Sequence, residues 1–189
     1  MSAPKKPAPI KPASSKPDPI ALAHGAAALP ALDLARFREA MSRIATAVHV
    51  LTTDGVSGRC GATVSAACSL TDAPPALIVC VNRSSRIHAA VMENRVFCLN
   101  ALAGHQSALS DTFAGRHGAD MGPRFAGAEW ITGATGAPVL VGALMSADCS
   151  LMQSHDVGSH SIFIGALKDV RLGEAHDALI YKARAYHSL

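Results

Sequence analysis

The sequence predicts a mainly β protein with a few helices, arranged as an antiparallel barrel. The chain of 189 residues is 49% hydrophobic and 16% charged, so it can bury one core without metal or disulfide staples. Short apolar or β-branched runs recur along it, separated by glycine, proline and Asp-Gly turn signals. Few helical segments lie between these runs, which favours an antiparallel sheet over a doubly wound one.

Residues 1–31 differ in composition from the rest of the chain. They hold seven of the eleven prolines, together with four lysines. Because such a segment cannot build a packed core, we expect a flexible tail followed by one domain over residues 32–189. The segment carries the whole formal charge of +3, so the folded part is neutral and nucleic-acid binding is not expected. No apolar run fits a membrane span or a secretory signal, and we expect a cytoplasmic protein.

The first predicted element is a helix. Asp33 is a suitable N-cap, and the apolar residues Leu34, Phe37, Met41 and Ile44 are three or four positions apart. This spacing predicts one buried apolar stripe.

The pattern then changes to short strands. Asp54-Gly55 and Pro74-Pro75 mark turns, and a glycine-rich loop is predicted over residues 115–122. Helices are predicted at 85–94 and 106–113. Strands are predicted at 48–53, 59–67, 76–81, 96–101, 143–154, 161–171 and 179–181.

Several kinds of chemistry are excluded by their missing motifs. The sequence has no G-x-G-x-x-G, no P-loop, no G-x-S-x-G and no H-E-x-x-H. Its five cysteines include no C-x-x-C pair, so we expect no metal site and no disulfide framework, but small buried residues in a reducing compartment. An enzyme of this sequence would depend on a cofactor for its chemistry.

One segment, RCGATVSAACSLTDAPP at residues 59–75, is built of small side chains. On a strand, its hydroxyl residues Thr63 and Ser65 share one face. Small side chains let a flat ligand lie against the backbone, whose amide groups can meet the polar edge of that ligand. The same run also fits a tightly packed sheet face, and taken alone it leaves both interpretations open.

This run and the motifs around it resemble the short-chain flavin reductases, which have the FMN-binding split-barrel fold. The resemblance extends in order over residues 33–187 and includes FREAMSRIATAV (37–48), GATVSAACSLTDAPP (61–75), VCVNRSS (79–85), ENRVFCLNAL (93–102), VGSHSIF (157–163) and LIYKARAYH (179–187). It implies an antiparallel Greek-key split β-barrel that reduces FMN or FAD by hydride transfer from NADH or NADPH. It also implies a homodimer, and a separate flavin-dependent oxygenase that receives the reduced flavin.

The resemblance also implies which residues bind the flavin. Backbone N–H groups and small side chains would contact the isoalloxazine ring at Ala62, Thr63, Val64, Ser65 and Ala66. The ribityl chain and phosphate would follow Cys80, Val81, Asn82 and Ser85. Further contacts are implied at Asn100, Ala101, Leu102 and Gln106. Ser85 can also begin a helix whose N-terminus favours an anion. Arg83 and Arg86 either add phosphate contacts or belong to a solvated loop, and Gln106 fits an exposed helix position equally well.

The motif Gly158-Ser159-His160 matches a Gly-x-His motif of the family. The resemblance implies that Gly158 and His160 lie beside the nicotinamide. Hydride passes directly from nicotinamide C4 to flavin N5, so His160 would orient the donor and need not act as a base. Tyr186 would either lie over the nucleotide or close the edge of the barrel.

Two other functions remain open from the sequence. One is a flavin-binding module without turnover, since a fold does not fix a function. The other is a reductase that uses flavin to reduce the cobalt centre of a corrinoid.

Overall fold

A computed structural model of the chain describes residues 32–116, 118, 120–174 and 177–189. The tail predicted at residues 1–31 lies outside the described residues. Four helices are present in the described part: α1 Leu34–Ser42, α2 Arg86–Asn94, α3 Ser107–Phe113 and α4 Met121–Ala126. Among the described residues, none of the helices has the length and apolarity that crossing a bilayer requires.

Strands make up most of the remaining regular structure. In chain order they are β1 Thr46–Ala47, β2 His49–Thr53, β3 Cys60–Val64, β4 Ala67–Asp72, β5 Pro75–Asn82, β6 Val96–Ala101, β7 Trp130–Thr132, β8 Pro138–Leu140, β9 Met145–Val157, β10 His160–Leu172, β11 Leu179–Lys182 and β12 Ala185–Ser188. The predicted mainly β class with a few helices is confirmed.

Seven strands form one antiparallel sheet in the order β3-β2-β6-β9-β10-β5-β4. Side chains from all seven strands meet in a single apolar cluster, so the sheet curves around it. The edge strands β3 and β4 are not hydrogen-bonded to each other among the described residues, so this sheet does not close into a barrel there. The Greek-key connectivity stays a prediction. A smaller sheet, β1-β11-β12, and the hairpin β7-β8 complete the fold.

The inside of the curved sheet is packed by aliphatic side chains and two phenylalanines. Phe97 and Phe163 are fully buried there. Gly165 on β10 faces the ring of Phe97, and a Cβ at this position would collide with that ring. The buried face of β10 therefore carries Ser161, Phe163 and Gly165.

The predicted stretch 59–67 is not one strand. The chain leaves β3 after Val64, where it pairs with β2, and enters β4 at Ala67, where it pairs with β5. Because β3 and β4 lie at opposite ends of the strand order, Ser65 and Ala66 form an unpaired link between them. The predicted glycine-rich loop is also shorter than expected, since α4 begins at Met121 within it.

The predicted burial of the stripe on α1 is wrong for the single chain. The helix forms, and the carboxylate of its N-cap Asp33 accepts a hydrogen bond from the amide of Ala35 at 3.0 Å. The stripe residues Leu34, Phe37 and Met41 of the helix, and Ile44 just beyond its end, are between 45% and 56% exposed. The apolar spacing sets which face of the helix is hydrophobic, but no surface of the described chain covers that face.

Candidate functional site

An open cleft of about 260 Å³ lies between β3, the link to β4 and the ends of β5 and β10. This volume is just below the range of roughly 300–1,000 Å³ that is typical of small-molecule sites. The cleft is lined by Ala62, Thr63, Val64, Ser65, Ala66, Cys80, Val81, Asn82, Ser85, Ile87 and His160. The structure thus brings together ten residues that were predicted as site residues, and it adds Ile87.

The floor of the cleft is the small-residue segment at 62–66. Its first three residues are half-buried in β3, and Ser65 and Ala66 are exposed in the link. The hydroxyl of Thr63 points away from solvent and donates to the carbonyl of Ser110 at 2.6 Å. The carbonyl of Ala66 accepts from the amide of Cys80 at 2.8 Å, which fixes the link against β5. A flat ring could therefore lie against this backbone without meeting a large side chain.

The turn between β5 and α2 closes one end of the cleft. The side-chain oxygen of Asn82 accepts hydrogen bonds from the amide and the hydroxyl of Ser84, at 2.9 and 2.8 Å. Ser85 is the N-cap of α2, as predicted, and its hydroxyl oxygen accepts from the amide of His88 at 3.4 Å. The N-terminus of this nine-residue helix thus lies at the cleft, where free amides and the helix dipole favour an anion.

The two arginines of this turn are not among the lining residues of the cleft. Arg83 instead faces the turn between β9 and β10. Its Nη2 lies 3.1 Å from a carboxylate oxygen of Asp156, and its Nη1 donates to the carbonyl of Gly158 at 3.4 Å. Arg86 is exposed at the first position of α2.

His160 lies on the other side of the cleft, at the first position of β10. It is exposed, and it pairs with Asn82 of β5 across the sheet. Its Nδ1 is 2.9 Å from the hydroxyl of Ser159. Gly158 does not line the cleft, but it has φ +57° in the turn that presents His160, a conformation that glycine adopts without steric cost.

A hydrogen-bond chain centred on the buried Ser161 adjoins His160 in the sequence, and sequence reasoning missed it. The hydroxyl of Ser161 donates to Asp156 Oδ1 at 2.6 Å and lies 2.8 Å from Nε2 of His88. Burial lowers the pKa of His88, Asp156 opposes that shift and Arg83 adds to it. A neutral His88 must then carry its proton on Nε2, because the serine has given its only proton to the carboxylate. Ser161 is fully buried, so these three residues cannot act as a nucleophilic triad.

Four predicted flavin contacts lie elsewhere in the structure. Asn100, Ala101 and Leu102 are buried in and after β6, and the amide of Gln106 bonds the backbone of Ala103 and Gly142. Asn100 is 0% exposed. Its Nδ2 donates to Val50 and Thr52, and its Oδ1 accepts from Leu140 and Ser146. The side chain of Asn100 therefore holds strands together, and the flavin contact at this position stays a prediction.

Tyr186 borders a second, smaller cleft of about 160 Å³, which shares Thr63, Val64 and Ser65 with the first. Its hydroxyl donates to Asp111 at 3.0 Å and lies 2.9 Å from the hydroxyl of Ser110. Burial raises the pKa of this phenol. Tyr186 belongs to the edge strand β12 and packs on Tyr181 of β11, and the guanidinium of Arg116 lies over its ring at 5.8 Å.

The five cysteines are free thiols. Cys60, Cys98 and Cys149 are buried as expected, Cys80 is half-buried in the cleft wall and Cys68 is exposed on β4. Burial raises the pKa of Cys149 to about 12, so this thiol is inert. Among the described residues, no three His, Cys, Asp or Glu side chains lie close enough to hold a metal ion.

The model of the flavin reductase like domain family matches residues 41–189. This chain belongs to that family. It is 48% identical over 153 residues to the FMN reductase (NADH) RutF of Stutzerimonas stutzeri. The aligned region covers 81% of this chain and 87% of that protein. It is 47% identical over 155 residues to the protein of the same name from Acinetobacter baylyi, covering 82% of this chain and 81% of the relative.

Solved structures of flavin reductases have the same fold. BorF, the flavin reductase component of a bacterial two-component tryptophan halogenase, superposes with a TM-score of 0.77 at 32% identity and covers 83% of this chain and 98% of its own. The flavin reductase PheA2 gives 0.75 at 28% identity, with 84% and 99% covered. These matches confirm the predicted family and enzyme class, an NAD(P)H-dependent flavin reductase, and the predicted use of a flavin and a nicotinamide nucleotide.

Proposed function

We propose that this flavin reductase transfers a hydride from NADH to FMN and supplies the reduced flavin to a separate flavin-dependent monooxygenase. The observation that carries the proposal is the cleft itself, where the small-residue floor, the N-terminus of α2 and His160 meet. The relatives named FMN reductase (NADH) support the choice of FMN and NADH. The description of BorF as one component of a two-component system supports a partner enzyme.

The residues of the cleft fit an FMN molecule. Residues 62–66 offer a floor without large side chains, which a planar ring system requires. The side-chain nitrogen of Asn82 and the backbone amides at the start of α2 offer hydrogen-bond donors at one end, which a phosphate requires. When bound there, the flavin supplies the ring atom that accepts the hydride.

The remaining work belongs to the chain. Residues 62–66 hold the ring plane against the backbone, and the N-terminus of α2 anchors the phosphate. His160 lies at the open side of the cleft, where it orients the nicotinamide over the floor. Because hydride moves directly between the two rings, orientation is the main contribution of the protein, and no buried acid or base is needed.

The test uses the purified full chain with NADH and free FMN, followed by the loss of NADH absorbance. We expect oxidation of NADH that depends on both the protein and the flavin. Rates with NADPH and with FAD, in all four combinations, determine which pair is preferred. Tight flavin binding without NADH oxidation in any combination would contradict the proposal and support a binding module without turnover.

We further propose that the protein is a homodimer. The exposed stripe on α1 supports an association surface, since a run of four apolar side chains is left uncovered in the single chain. Strand β4 is also an exposed sheet edge that carries Leu70, a feature that single domains usually protect.

The five free thiols support the predicted reducing, cytoplasmic location.

The dimer is tested by measuring the mass of the full chain by light scattering as it elutes from a size-exclusion column. We expect twice the chain mass for the native protein and a shift towards the monomer for Phe37→Ser combined with Met41→Ser. Arg36→Ser on the same helix is the control and should remain dimeric. A monomeric native protein, or a double variant that elutes like the control, would show that α1 does not form the interface.

A further inference from the structure

We propose that Ser161 is a positioning residue of the hydride-transfer site, because its buried hydroxyl fixes the turn that carries His160 against helix α2. The inference rests on the proposed function, since it concerns how the nicotinamide side and the phosphate side of one cleft are held in register. The turn is formed by residues 157–160, between β9 and β10.

The first observation is the contrast between two consecutive residues. His160 is exposed at the cleft, whereas Ser161, the next residue, is 0% exposed. Neighbouring residues of a strand point to opposite faces, so Ser161 faces the interior while His160 faces the ligand. The contacts of the Ser161 side chain therefore fix the position of the start of β10, from which the side chain of His160 projects.

The second observation is that the hydroxyl joins two elements that are far apart in sequence. It donates to Asp156 of β9 at 2.6 Å and accepts from Nε2 of His88 on α2 at 2.8 Å. The ring of His88 in turn packs on Phe163 at 5.1 Å. The hydroxyl of Ser161 thus acts as a donor and as an acceptor. These two hydrogen bonds connect the base of the turn to α2, whose N-terminus faces the cleft.

A second set of contacts holds the same turn from outside. Arg83 pairs with Asp156 at 3.1 Å, and the amide of Arg83 donates to the carbonyl of Ser159 at 3.0 Å. The side chains of this ion pair are about half exposed, and exposed pairs contribute little because water and salt screen them. The hydrogen bonds of Ser161 differ from this ion pair because the serine itself is fully buried.

The consequence for catalysis is geometric. Displacement of a reactant by about 1 Å can lower a rate by as much as about 100-fold. Without the hydroxyl, Asp156 can turn to solvent and the turn loses its hydrogen bond to His88 of α2, which leaves only the exposed contacts of Arg83. We expect His160 to be displaced relative to the floor of the cleft, while the floor itself stays in place.

The experiment is Ser161→Ala in the full chain, with kinetics and FMN titration on the same preparation. We expect KM for NADH to rise about tenfold, as the loss of one hydrogen bond of roughly 1.4 kcal/mol would produce. The dissociation constant of FMN should change less than about twofold, because no flavin-contacting group is altered. Equal weakening of FMN and NADH, or no change in either, would overturn the proposal.

Two further variants separate positioning from a general loss of stability. His88→Ala should repeat the NADH defect, and the double variant should be no worse than either single one, because both remove the same connection. Ser146→Ala is the matched control: Ser146 is also a buried serine, but its hydroxyl donates to Asn100 inside the sheet. A control that raises KM for NADH as much as Ser161→Ala would mean that the effect is only structural.

Hydrogen exchange of the backbone amides gives a readout that does not depend on activity. Ser161→Ala should accelerate exchange in the peptide that spans residues 155–161, and Ser146→Ala should not. If the native protein does not oxidise NADH with any flavin, the proposed function fails, and unchanged exchange in Ser161→Ala separately overturns the role of Ser161.

Discussion

Two buried serines make the same kind of hydrogen bond in two regions of this molecule. Ser146 on β9 is 3% exposed and donates to Asn100 at 2.8 Å. Ser161 on β10 is 0% exposed and donates to Asp156 at 2.6 Å. The first bond lies inside the sheet, and the second lies at the end of a hairpin beside the cleft.

The difference between the two regions is where each network ends. All six hydrogen bonds of the Asn100 amide are with buried residues of β2, β6, β8 and β9, so this interior network is closed. The network of Ser161 ends at Asp156 and Arg83, which are about half exposed, and at His88. A closed network contributes to stability alone, whereas an open one beside a cleft can also set the geometry of a site.

The largest expected effect is on the closed network. Asn100→Ala leaves the amide of Leu140 and the hydroxyl of Ser146 without their acceptor inside the sheet. Since each buried unsatisfied group costs roughly 1–3 kcal/mol, we expect the free energy of unfolding to fall by about 3 kcal/mol or more. Urea denaturation measures it.

The matched control for that change is Asn82→Ala. Asn82 is exposed at the cleft, and its side chain bonds Ser84. We expect a loss of stability below about 1 kcal/mol together with weaker FMN binding. If Asn100→Ala instead weakened FMN binding in a fully stable protein, the side chain of Asn100 would act in flavin binding and not in holding the strands together.

The next largest expected effect concerns His160, which lies beside the open network. His160→Ala removes an exposed side chain that lines the cleft, and we expect KM for NADH to rise about tenfold, equivalent to roughly 1.4 kcal/mol. Thermal unfolding should be unchanged. Steady-state kinetics and FMN titration check both parts, and a parallel loss of FMN binding would contradict the assignment of His160 to the nicotinamide.

The smallest effect is a pH dependence from the interior. His49 on β2 is 7% exposed, and its Nδ1 has no hydrogen-bond partner among the described residues. Burial lowers its pKa, so unfolding allows it to take up a proton. The free energy of unfolding therefore falls as the pH drops below about 6.5, the ordinary value, towards the lower folded value.

His49→Leu isolates this contribution, because every other titratable group is unchanged. We expect the stability lost between about pH 7.5 and pH 5.5 to be smaller in the variant, by on the order of 1 kcal/mol. Denaturation at the two pH values measures the difference. Parallel pH profiles for the two proteins would show that His49 is not held neutral by the fold.

The family resemblance could supply most of the lining of the cleft because most of these residues lie in two contiguous motifs, whereas His160 joins them only across the sheet. The floor is one contiguous run at 62–66, and Cys80 to Ser85 lie on one strand and the turn after it. Residues of one contiguous motif remain neighbours in space, whichever way the distant parts of the chain pack. The hydrogen bonds of Asn100 could not be predicted, because a motif shows that an asparagine is in a strand but not which groups its amide meets.

Neither the contacts of Ser161 nor helix α4 could be predicted from the sequence. A serine in an alternating strand is unremarkable, and only the antiparallel register places Ser161 opposite Asp156, while His88 is 73 residues away. Helix α4 contains glycine and proline in its first turn, and composition alone predicts a loop there.

The sequence by itself determined the class of fold, the family and the small-residue floor, because these depend on periodicity and on contiguous motifs. The tertiary structure alone decided which face of each strand is buried and which polar groups meet across the sheet. It also decided that the stripe of α1 is left uncovered in the single chain. The physical reason is that hydrogen bonds and burial depend on contacts between residues far apart in the chain, which local periodicity does not specify.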